Sequence, residues 1–561
     1  MTTPLRRTTR RPIALAVFFL LVAAVWAATG ETPAAAAKPW PAEFDGCTSI
    51  MVGRLATSDG SVLTCHTCDG NYRQWVNIVP GRTWPAGAKT EIVSGKMNTE
   101  TPDDLRGLVK GGEIAQAAAT YRFLNTAYPC LNEHGLAIGE TTIGGRRELY
   151  NPEGLFLIEE VERIVLERCK TAREAVKLAG ALVKEHGYGD YGECITIADG
   201  KEVWQLEMFG AGPLEKGAVW AAARIPDDHV GISANIPRIG ELDLKNPDRF
   251  TASDNVFQVA QDMGWWDPAG GKPFKFWEAY SGRKPFSVRE HFVFNALAPA
   301  LKLDLNAAEL PFSVKPEKKV SVRDVLALYR NAYAGTDMDM TKNLLIPKRM
   351  PMRRPDAAAA SAASPPAAPE MVKSPIASPW MPRDMMMLIN TLKPGTIPMT
   401  RTIPANFCAY ATVLQVRGWL PPAVGAICWF AFDNPAMSAR IPIFAGTTEL
   451  PPSFAVCAQH RFRLDSAAWA FRRANRLATL KWGQTQLELD AVIMEFEDKA
   501  FADLPWIEKK VQEILAAKAP DKEPFTVERF LTKYTNDMAR AAVQRYLELG
   551  DKYWMLFARG L

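Results

Sequence analysis

The residues best suited to covalent chemistry are Asp45-Gly46-Cys47, which precede the apolar run from Ile50 to Val52. If the bond between Gly46 and Cys47 is cut, Cys47 becomes the first residue of the mature chain. Its thiol would be the nucleophile, and its own α-amino group, with a pKa of about 7.7–8.0, would be the base. Both groups belong to one residue, so little entropy is lost in bringing them together. The alternative is an ordinary buried or disulfide-bonded cysteine.

The N-terminal segment predicts export. Four arginines precede an unbroken apolar run from Ile13 to Ala28, and small residues follow, which is the layout of a secretory signal. The alternative, an uncleaved membrane anchor, is less favoured because the run is shorter than the roughly 20 apolar residues that span a bilayer. We therefore predict a signal peptide at 1–28, a leader or propeptide at 29–46, and a periplasmic or extracellular protein without stable membrane association after signal removal.

Composition excludes some functions and leaves others open. The chain has 561 residues, of which 48% are hydrophobic and 23% charged, and its net charge is only +4. Such a charge argues against a nucleic-acid-binding protein, which needs clustered lysine and arginine. Nine cysteines are present. If Cys47 is reserved as a free thiol, eight remain, and in an oxidising compartment they could form up to four disulfides of unknown connectivity.

The order of patterns along the chain predicts a layered α+β fold. Strand-like runs come first, for example Ser49 to Val52. A helical pair follows, in which residues 154–168 have apolar residues at helical spacing and Thr171-Ala172-Arg173-Glu174 is a capping box that opens a helix toward His186. Strand-like runs then resume between Cys194 and Asn235. Strands, two helices and further strands indicate helices stacked on a largely antiparallel sheet system.

Composition shifts divide the chain further. We predict a catalytic core at 47–350 and a low-complexity loop at 351–380, which is rich in Ala, Pro and Ser without periodicity. Residues 381–460 are strand-rich and are interpreted as a continuation of the core. Residues 461–561 are predicted to be a helical C-terminal region.

Several motifs together resemble one family. The segment from Cys47 to Gly53, followed by an Asp-Gly-Ser turn and by Asp69-Gly70, is similar to the mature start of the C69 family of dipeptidases, which are N-terminal nucleophile hydrolases. Further similar motifs follow in family order at Asn132–Thr141, Thr171–Ala175, Ala234–Ile239, Pro311–Pro316, Lys318–Val322 and Gln415–Arg417. The order of these motifs makes the resemblance specific.

This resemblance implies a fold and an activity. The fold would be an αββα sandwich with the N-terminal cysteine at the end of a central strand, here with C-terminal helical additions. The activity would be autocatalytic removal of the propeptide before Cys47, then hydrolysis of dipeptides through a thioester, without a metal or other cofactor. The expected partners are small peptide substrates, and homo-oligomerisation is left open.

The resemblance also implies roles for individual residues. Asp69 would hold the α-amino group of Cys47, and Asn235 would donate a side-chain N–H to the oxyanion. The alternatives are a turn residue beside Gly70 for Asp69 and a strand-end cap before Pro237 for Asn235. The substrate-binding residues would be His66, Asn132, Thr141 and Arg238.

One departure concerns the second strand. Many dipeptidases of the family carry Arg-Asn-Glu-Asp where this chain has His66-Thr67-Cys68-Asp69. The missing arginine puts the usual charge arrangement at the pocket mouth in doubt, and with it the usual substrate preference. His66 could replace part of the arginine's role, or it could merely pack or face solvent. Cys65 and Cys68 also fit a Cys-x-x-Cys pattern, but no helix begins there, so a local or longer-range structural disulfide is favoured over a thiol oxidoreductase. A zinc site is not predicted, because the sequence has no second pair of ligands at a suitable spacing.

Two further alternatives share the fold. One is an acylase of the same superfamily that cleaves another linear amide, and the other is a non-catalytic binding protein. A plausible processing site before Cys47 argues against the second alternative.

Overall fold

The computed structural model describes residues 46–212, 217–282, 285–348, 369–457, 459–517 and 526–558. The predicted signal peptide and all of the predicted leader except Gly46 lie outside these residues. Most of the predicted low-complexity loop lies outside them as well.

Strands form most of the core. In chain order they are β1 (Ser49–Val52), β2 (Val62–Asp69), β3 (Asn77–Val79), β4 (Arg82–Thr83), β5 (Lys89–Ser94), β6 (Val109–Ala115), β7 (Ala119–Thr120), β8 (Phe123–Asn125), β9 (Leu131–Asn132), β10 (Ala137–Thr142), β11 (Glu193–Ala198), β12 (Val203–Gly210), β13 (Ala218–Arg224), β14 (Val230–Ser233), β15 (Phe250–Ala252), β16 (Ser313–Val314), β17 (Leu345–Pro347), β18 (Met371–Lys373), β19 (Cys408–Val416), β20 (Ala426–Phe432) and β21 (Ile441–Phe444).

Helices follow and interrupt these strands. In chain order they are α1 (Ile158–Arg168), α2 (Ala172–His186), α3 (Gln258–Asp262), α4 (Phe276–Tyr280), α5 (Val288–Leu297), α6 (Val322–Leu328), α7 (Arg383–Leu392), α8 (Pro422–Gly425), α9 (Ala467–Ala478), α10 (Trp482–Ala516) and α11 (Val527–Phe557). Among the residues described, no helix has both the length and the apolar character that a membrane span requires.

Two large sheets organise the molecule. The first has the strand order β16-β14-β1-β2-β19-β20-β21, and the second has the order β15-β13-β12-β11-β10-β9-β8-β3. Neighbouring strands are antiparallel, as in the pairs Ser49↔Ser233 and Thr141↔Cys194. Both β1 and β2 are buried along their whole length. The strand predicted from Ser49 to Val52 is therefore present, and it is covered on both faces.

The two sheets pack face to face at β2 and β10. The hydroxyl groups of Thr64 and Thr196 are 2.6 Å apart across the interface. Gly139 is required here, because a Cβ atom at this position would lie 2.1 Å from the carbonyl oxygen of Cys65. The close approach of two backbones leaves no room for a side chain, and it brings residues of β10 next to those of β2.

Helices cover both sheets. The second sheet is contacted by α1 and α2, while α5, α6, α9 and α11 contact the first. The capping box predicted at Thr171 is present: its hydroxyl accepts from the Glu174 N–H, and the Glu174 carboxylate accepts from the Thr171 N–H. This architecture confirms the predicted α+β class.

The described part of the predicted low-complexity loop, residues 369–380, contains regular structure. Met371–Lys373 pairs with Leu345–Pro347 in a two-stranded sheet, and Trp380 is only 3% exposed. The backbone hydrogen bonds of the pair and the apolar surface that Trp380 removes from water stabilise this end of the segment.

The bonding state of the cysteines differs from the disulfides that the sequence suggested. All nine lie within the described residues, and each is a buried free thiol. Cys65 and Cys68 both lie in β2, three residues apart, so their side chains point to opposite faces of the strand and their Cα atoms are about 10 Å apart. A disulfide needs Cα atoms roughly 4.4–6.8 Å apart. The predicted local disulfide is therefore wrong, and this geometry also argues against thiol oxidoreductase chemistry.

Candidate active site

Cys47 lies two residues before β1 and is buried, and its backbone is held from several elements. Its carbonyl oxygen accepts a hydrogen bond of 2.7 Å from Arg289 Nη1 of α5. The N–H of Thr48 donates to Thr67 Oγ1 of β2 at 2.9 Å, and the carbonyl of Thr48 accepts from the Tyr329 hydroxyl at 2.8 Å. These contacts fix the position of the Cys47 side chain without using its sulfur.

The peptide bond predicted to be cut is held on its other side. The carbonyl oxygen of Gly46 accepts a hydrogen bond of 2.8 Å from Arg401 Nη2. Gly46 has a φ of +129°, and a Cβ atom there would lie 2.2 Å from Oδ1 of Asn235. A glycine is therefore needed before Cys47 for both conformational and steric reasons.

Asp69 ends β2 and is buried with a positive partner. The guanidinium of Arg401 forms an ion pair with Asp69 Oδ2, which also accepts from the Thr67 hydroxyl at 3.0 Å. The second carboxylate oxygen, Oδ1, is buried and has no hydrogen-bond partner among the described residues. Arg401 thus joins the predicted catalytic carboxylate to the carbonyl of Gly46.

Asn235 lies beyond β14 in a left-handed conformation, with a φ of +65°. A non-glycine residue in this region is uncommon and marks a position that its surroundings enforce. Its Nδ2 donates to the Thr142 carbonyl at 2.7 Å, and its Oδ1 accepts from Arg289 Nη2 at 2.9 Å. Because Arg289 also binds the Cys47 carbonyl, one arginine aligns the predicted nucleophile and the predicted oxyanion donor.

His66 is brought to Cys47 from β2. Its Nδ1 is 2.7 Å from the backbone carbonyl oxygen of Glu140 and 3.6 Å from Glu140 Oε2. Its ring also makes an edge contact with Tyr128, with ring centroids 5.4 Å apart. Cys47, His66 and Glu140 each offer a potential ligand atom within 4.8 Å of the others. The fold therefore assembles three metal-type donors that the sequence pattern did not reveal.

The other predicted substrate-binding residues are engaged within the chain. The Asn132 amide donates to two carbonyls of the Leu166–Cys169 segment and accepts from the N–H groups of His134 and Leu136. The Thr141 hydroxyl is 2.5 Å from that of Ser233. The Arg238 guanidinium donates to backbone carbonyls at Pro285, Leu310 and Pro311. Substrate contacts by these three residues remain predictions.

The pocket is electrostatically unfavourable for a thiolate as it stands. Burial, and after it the neighbouring Glu140 carboxylate, raises the pKa of the Cys47 thiol well above its usual value. Burial and the proximity of Glu140 likewise raise the pKa of Glu193 on the adjacent strand. Forming a thiolate here therefore requires either a positive charge or proton transfer during the attack itself.

Three residues of the site escaped the sequence analysis: Glu140, Arg289 and Arg401. The sequence contained a weak indication of the position of Arg289, because this residue lies between Ser287 and Glu290 of a capping box at the start of a helix. It is nevertheless fully buried, which is rare for an arginine without a specific role. Arg401 lies in a segment without secondary structure and offered no pattern.

The fold and the site define an α+β protein built around one buried cysteine, with arginine donors on both sides of its peptide bond. The chain belongs to peptidase family C69, whose profile matches residues 46–495. It is therefore a peptide hydrolase. The match begins at Gly46, the residue immediately before the predicted nucleophile.

Relatives of known name agree with this assignment. The chain is similar to a probable dipeptidase of Salmonella dublin, with 25% identity over 72% of this chain and 82% of the relative. It is similar to a probable dipeptidase of Latilactobacillus sakei, with 23% identity over 82% and 90% of the two chains. It is also similar to probable dipeptidase A of Streptococcus pyogenes serotype M1, with 22% identity over 85% and 90%.

Proposed function

We propose that the chain is an exported cysteine dipeptidase that matures by cutting its own Gly46–Cys47 bond. The observation that carries this proposal is the environment of that bond. The Gly46 carbonyl accepts a charged hydrogen bond from Arg401, and the Cys47 carbonyl accepts one from Arg289. Both partners of the reaction are thus positioned by cationic donors from distant parts of the chain.

Maturation is an attack by Cys47 on the residue that precedes it, Gly46. The Cys47 sulfur attacks the carbonyl carbon of Gly46, and Arg401 stabilises the negative charge on its oxygen. The C–N bond breaks, the thiol proton moves to the departing nitrogen, and a thioester joins the leader to Cys47. Water then cleaves the thioester and releases the leader as a carboxylic acid. Transferring the proton during the attack avoids a free thiolate in the acidic pocket.

Peptide hydrolysis repeats this chemistry with a substrate. The new α-amino group of Cys47 takes the thiol proton. Oδ1 of Asp69, which has no hydrogen-bond partner among the described residues, accepts a hydrogen bond from that amino group. Asn235 has two N–H groups, of which one is bound to Thr142, and the second donates to the oxyanion. A comparable amide donor lowers the barrier by about 2.7–4 kcal/mol.

Three observations support the class of enzyme and substrate. Helices pack on both large sheets, which fits the proposed αββα sandwich of N-terminal nucleophile hydrolases. Cys47 lies two residues before β1, an interior strand of the first sheet. The relatives are named probable dipeptidases, which supports dipeptides as substrates here.

The N-terminal residue of the purified protein tests the proposal. We expect a chain that begins at Cys47, and a Cys47→Ala variant that keeps its leader and does not hydrolyse dipeptides. Cys47→Ser is the matched variant, because a hydroxyl is a weaker nucleophile of nearly the same size. Full activity in a chain that retains Gly46 would contradict the role of the α-amino group.

A substrate panel separates the proposal from the acylase alternative. Dipeptides and N-acyl amino acids with the same C-terminal residue should be compared by kcat/KM. Preference for the dipeptides is expected. Preference for the acyl compounds would make the chain an acylase, and hydrolysis of neither by a fully processed chain would favour a binding protein.

A further inference from the structure

We propose that Cys47, His66 and Glu140 form a zinc site that reversibly blocks the nucleophile. Each of the three residues offers one ligand atom, and these atoms all lie within 4.8 Å of one another. The three side chains come from the segment before β1, from β2, and from β10 of the opposite sheet. All three are at least 98% buried, so the donors lie in fixed positions away from bulk water.

The donor set suits Zn²⁺. Thiolate sulfur, imidazole nitrogen and carboxylate oxygen are the ligands that zinc takes in proteins, at about 2.0–2.3 Å. Tetrahedral geometry at these lengths separates the ligand atoms by roughly 3.3–3.8 Å. The observed separations, all within 4.8 Å, exceed this range by at most about 1.5 Å, so the side chains would move toward a central ion on binding. Three protein ligands and one open position are the usual arrangement of a reactive zinc site.

The hydrogen bond of His66 leaves Nε2 as the ring nitrogen that a metal could take. A carbonyl oxygen only accepts hydrogen bonds, so the 2.7 Å contact with the Glu140 carbonyl places the proton on Nδ1 of His66. The neutral ring then carries its lone pair on Nε2, which is buried and has no hydrogen-bond partner among the described residues. In metal sites, a ligating histidine typically donates its other N–H to such a carbonyl or carboxylate.

Glu140 gives a second, independent indication. Its Oε2 is also buried without a hydrogen-bond partner among the described residues. The other oxygen, Oε1, accepts from the Thr142 hydroxyl at 3.4 Å. A buried carboxylate oxygen that lacks a hydrogen bond is unfavourable. A Zn²⁺ ion would balance the charges of the Cys47 thiolate and the Glu140 carboxylate, and the thiol proton would be released to solvent on binding.

His66 is the donor whose replacement by arginine tests the proposed site. An arginine cannot ligate zinc, because its guanidinium remains protonated and has no free acceptor. If Cys47 becomes N-terminal as proposed above, its α-amino group adds a fourth donor from the same residue. The three side-chain donors do not depend on that step.

Zinc bound to the Cys47 sulfur would prevent attack on a substrate. Inhibition should therefore be reversed by a chelator, and it should compete with substrate. Mg²⁺ should have little effect, because it prefers oxygen ligands in octahedral geometry.

The test measures zinc binding directly and separately from activity. Purified full-length protein is titrated with Zn²⁺ against a chromophoric chelator, and bound metal is counted by mass spectrometry after desalting. We expect one zinc per chain, with loss of at least about tenfold in affinity for His66→Arg and for Glu140→Gln. His134→Gln is the matched control, since His134 is partly exposed and outside the cluster, and its affinity should be unchanged.

Two readouts keep this proposal distinct from the proposed dipeptidase. Zinc binding that depends on His66 in a chain without dipeptidase activity would support the site and contradict the proposed function. An active dipeptidase that does not bind zinc would overturn the site. So would an active dipeptidase whose His66→Arg and His134→Gln variants bind zinc with equal affinity. Circular dichroism confirms folding of each variant, and if Glu140→Gln does not fold, the His66→Arg and His66→Gln variants decide the question.

Discussion

Arg401 offers the sharpest test of how the site works. Its guanidinium binds the carbonyl of Gly46 and the carboxylate of Asp69, and it is buried. Arg401→Met removes both interactions while keeping an unbranched side chain of moderate length. The variant should therefore show two separate defects, one in maturation and one in stability.

The maturation defect follows from the charge that develops on the Gly46 oxygen. Loss of one donor to such an oxygen raises the barrier by about 2.7–4 kcal/mol, which is roughly a 10²–10³-fold lower rate. The assay is intact mass spectrometry of samples taken at intervals after a short pulse of synthesis, which gives the ratio of precursor to processed chain. Processing of Arg401→Met at the rate of the parent protein would refute the role given to this arginine.

The stability defect follows from the ion pair. Removing one partner of a buried ion pair leaves an uncompensated charge and typically costs about 3–5 kcal/mol. Urea unfolding of the unprocessed Cys47→Ala background should show this loss for Arg401→Met. Adding Asp69→Asn should restore more than half of it, because the unpaired charge is then gone. A double variant that is as unstable as the sum of the single variants would show that the two residues are not coupled.

Three further predictions concern neighbouring contacts. Arg289→Met should lower kcat by roughly 10²–10³-fold in steady-state assays, because Asn235 would no longer be aligned with Cys47; an unchanged kcat would contradict this. Gly139→Ala should lower the free energy of unfolding in urea by about 1–3 kcal/mol, since its Cβ would meet the opposite backbone; equal stability would show that the sheets can separate. Burial raises the pKa of Glu207 to about 7 from 4.5. The folded chain thus holds a proton there that the unfolded chain loses, and the parent should lose about 2.5 kcal/mol relative to Glu207→Gln between pH 5 and pH 8. A pH-independent difference in urea unfolding would be the contrary result.

Local patterns were sufficient where the determining interactions are local. The helix from Ala172 to His186 was predicted because its capping box lies within four residues. The strand that follows Cys47 was predicted because its burial is expressed in an unbroken apolar run. The regular structure within residues 369–380 was not predicted, because it depends on pairing with Leu345–Pro347 across a segment whose composition shows no periodicity.

The site depended on contacts that no local pattern expresses. Arg289 reaches Cys47 across 242 residues of sequence, and Arg401 reaches Asp69 across 332. Glu140 approaches His66 only because Gly139 lets two backbones pack closely. The disulfide between Cys65 and Cys68 was wrongly predicted for the same reason. A cysteine count gives no distances, and the geometry of β2 places these two side chains on opposite faces of the strand.

The chemistry of the pocket follows from its charge. With Gly46 still attached, burial and the Glu140 carboxylate raise the pKa of the Cys47 thiol, so the sulfur is protonated near neutral pH. In the proposed mechanism, maturation converts the nitrogen of an amide into an amine that can carry a positive charge two bonds from Cβ of the same cysteine. That charge favours the thiolate. The cleavage therefore does more than expose the nucleophile, because it supplies the cation that the acidic pocket lacks. The proposed zinc site, which is argued from the positions of its three donors, would supply a positive charge to the same pocket before maturation and whenever the amino group is neutral.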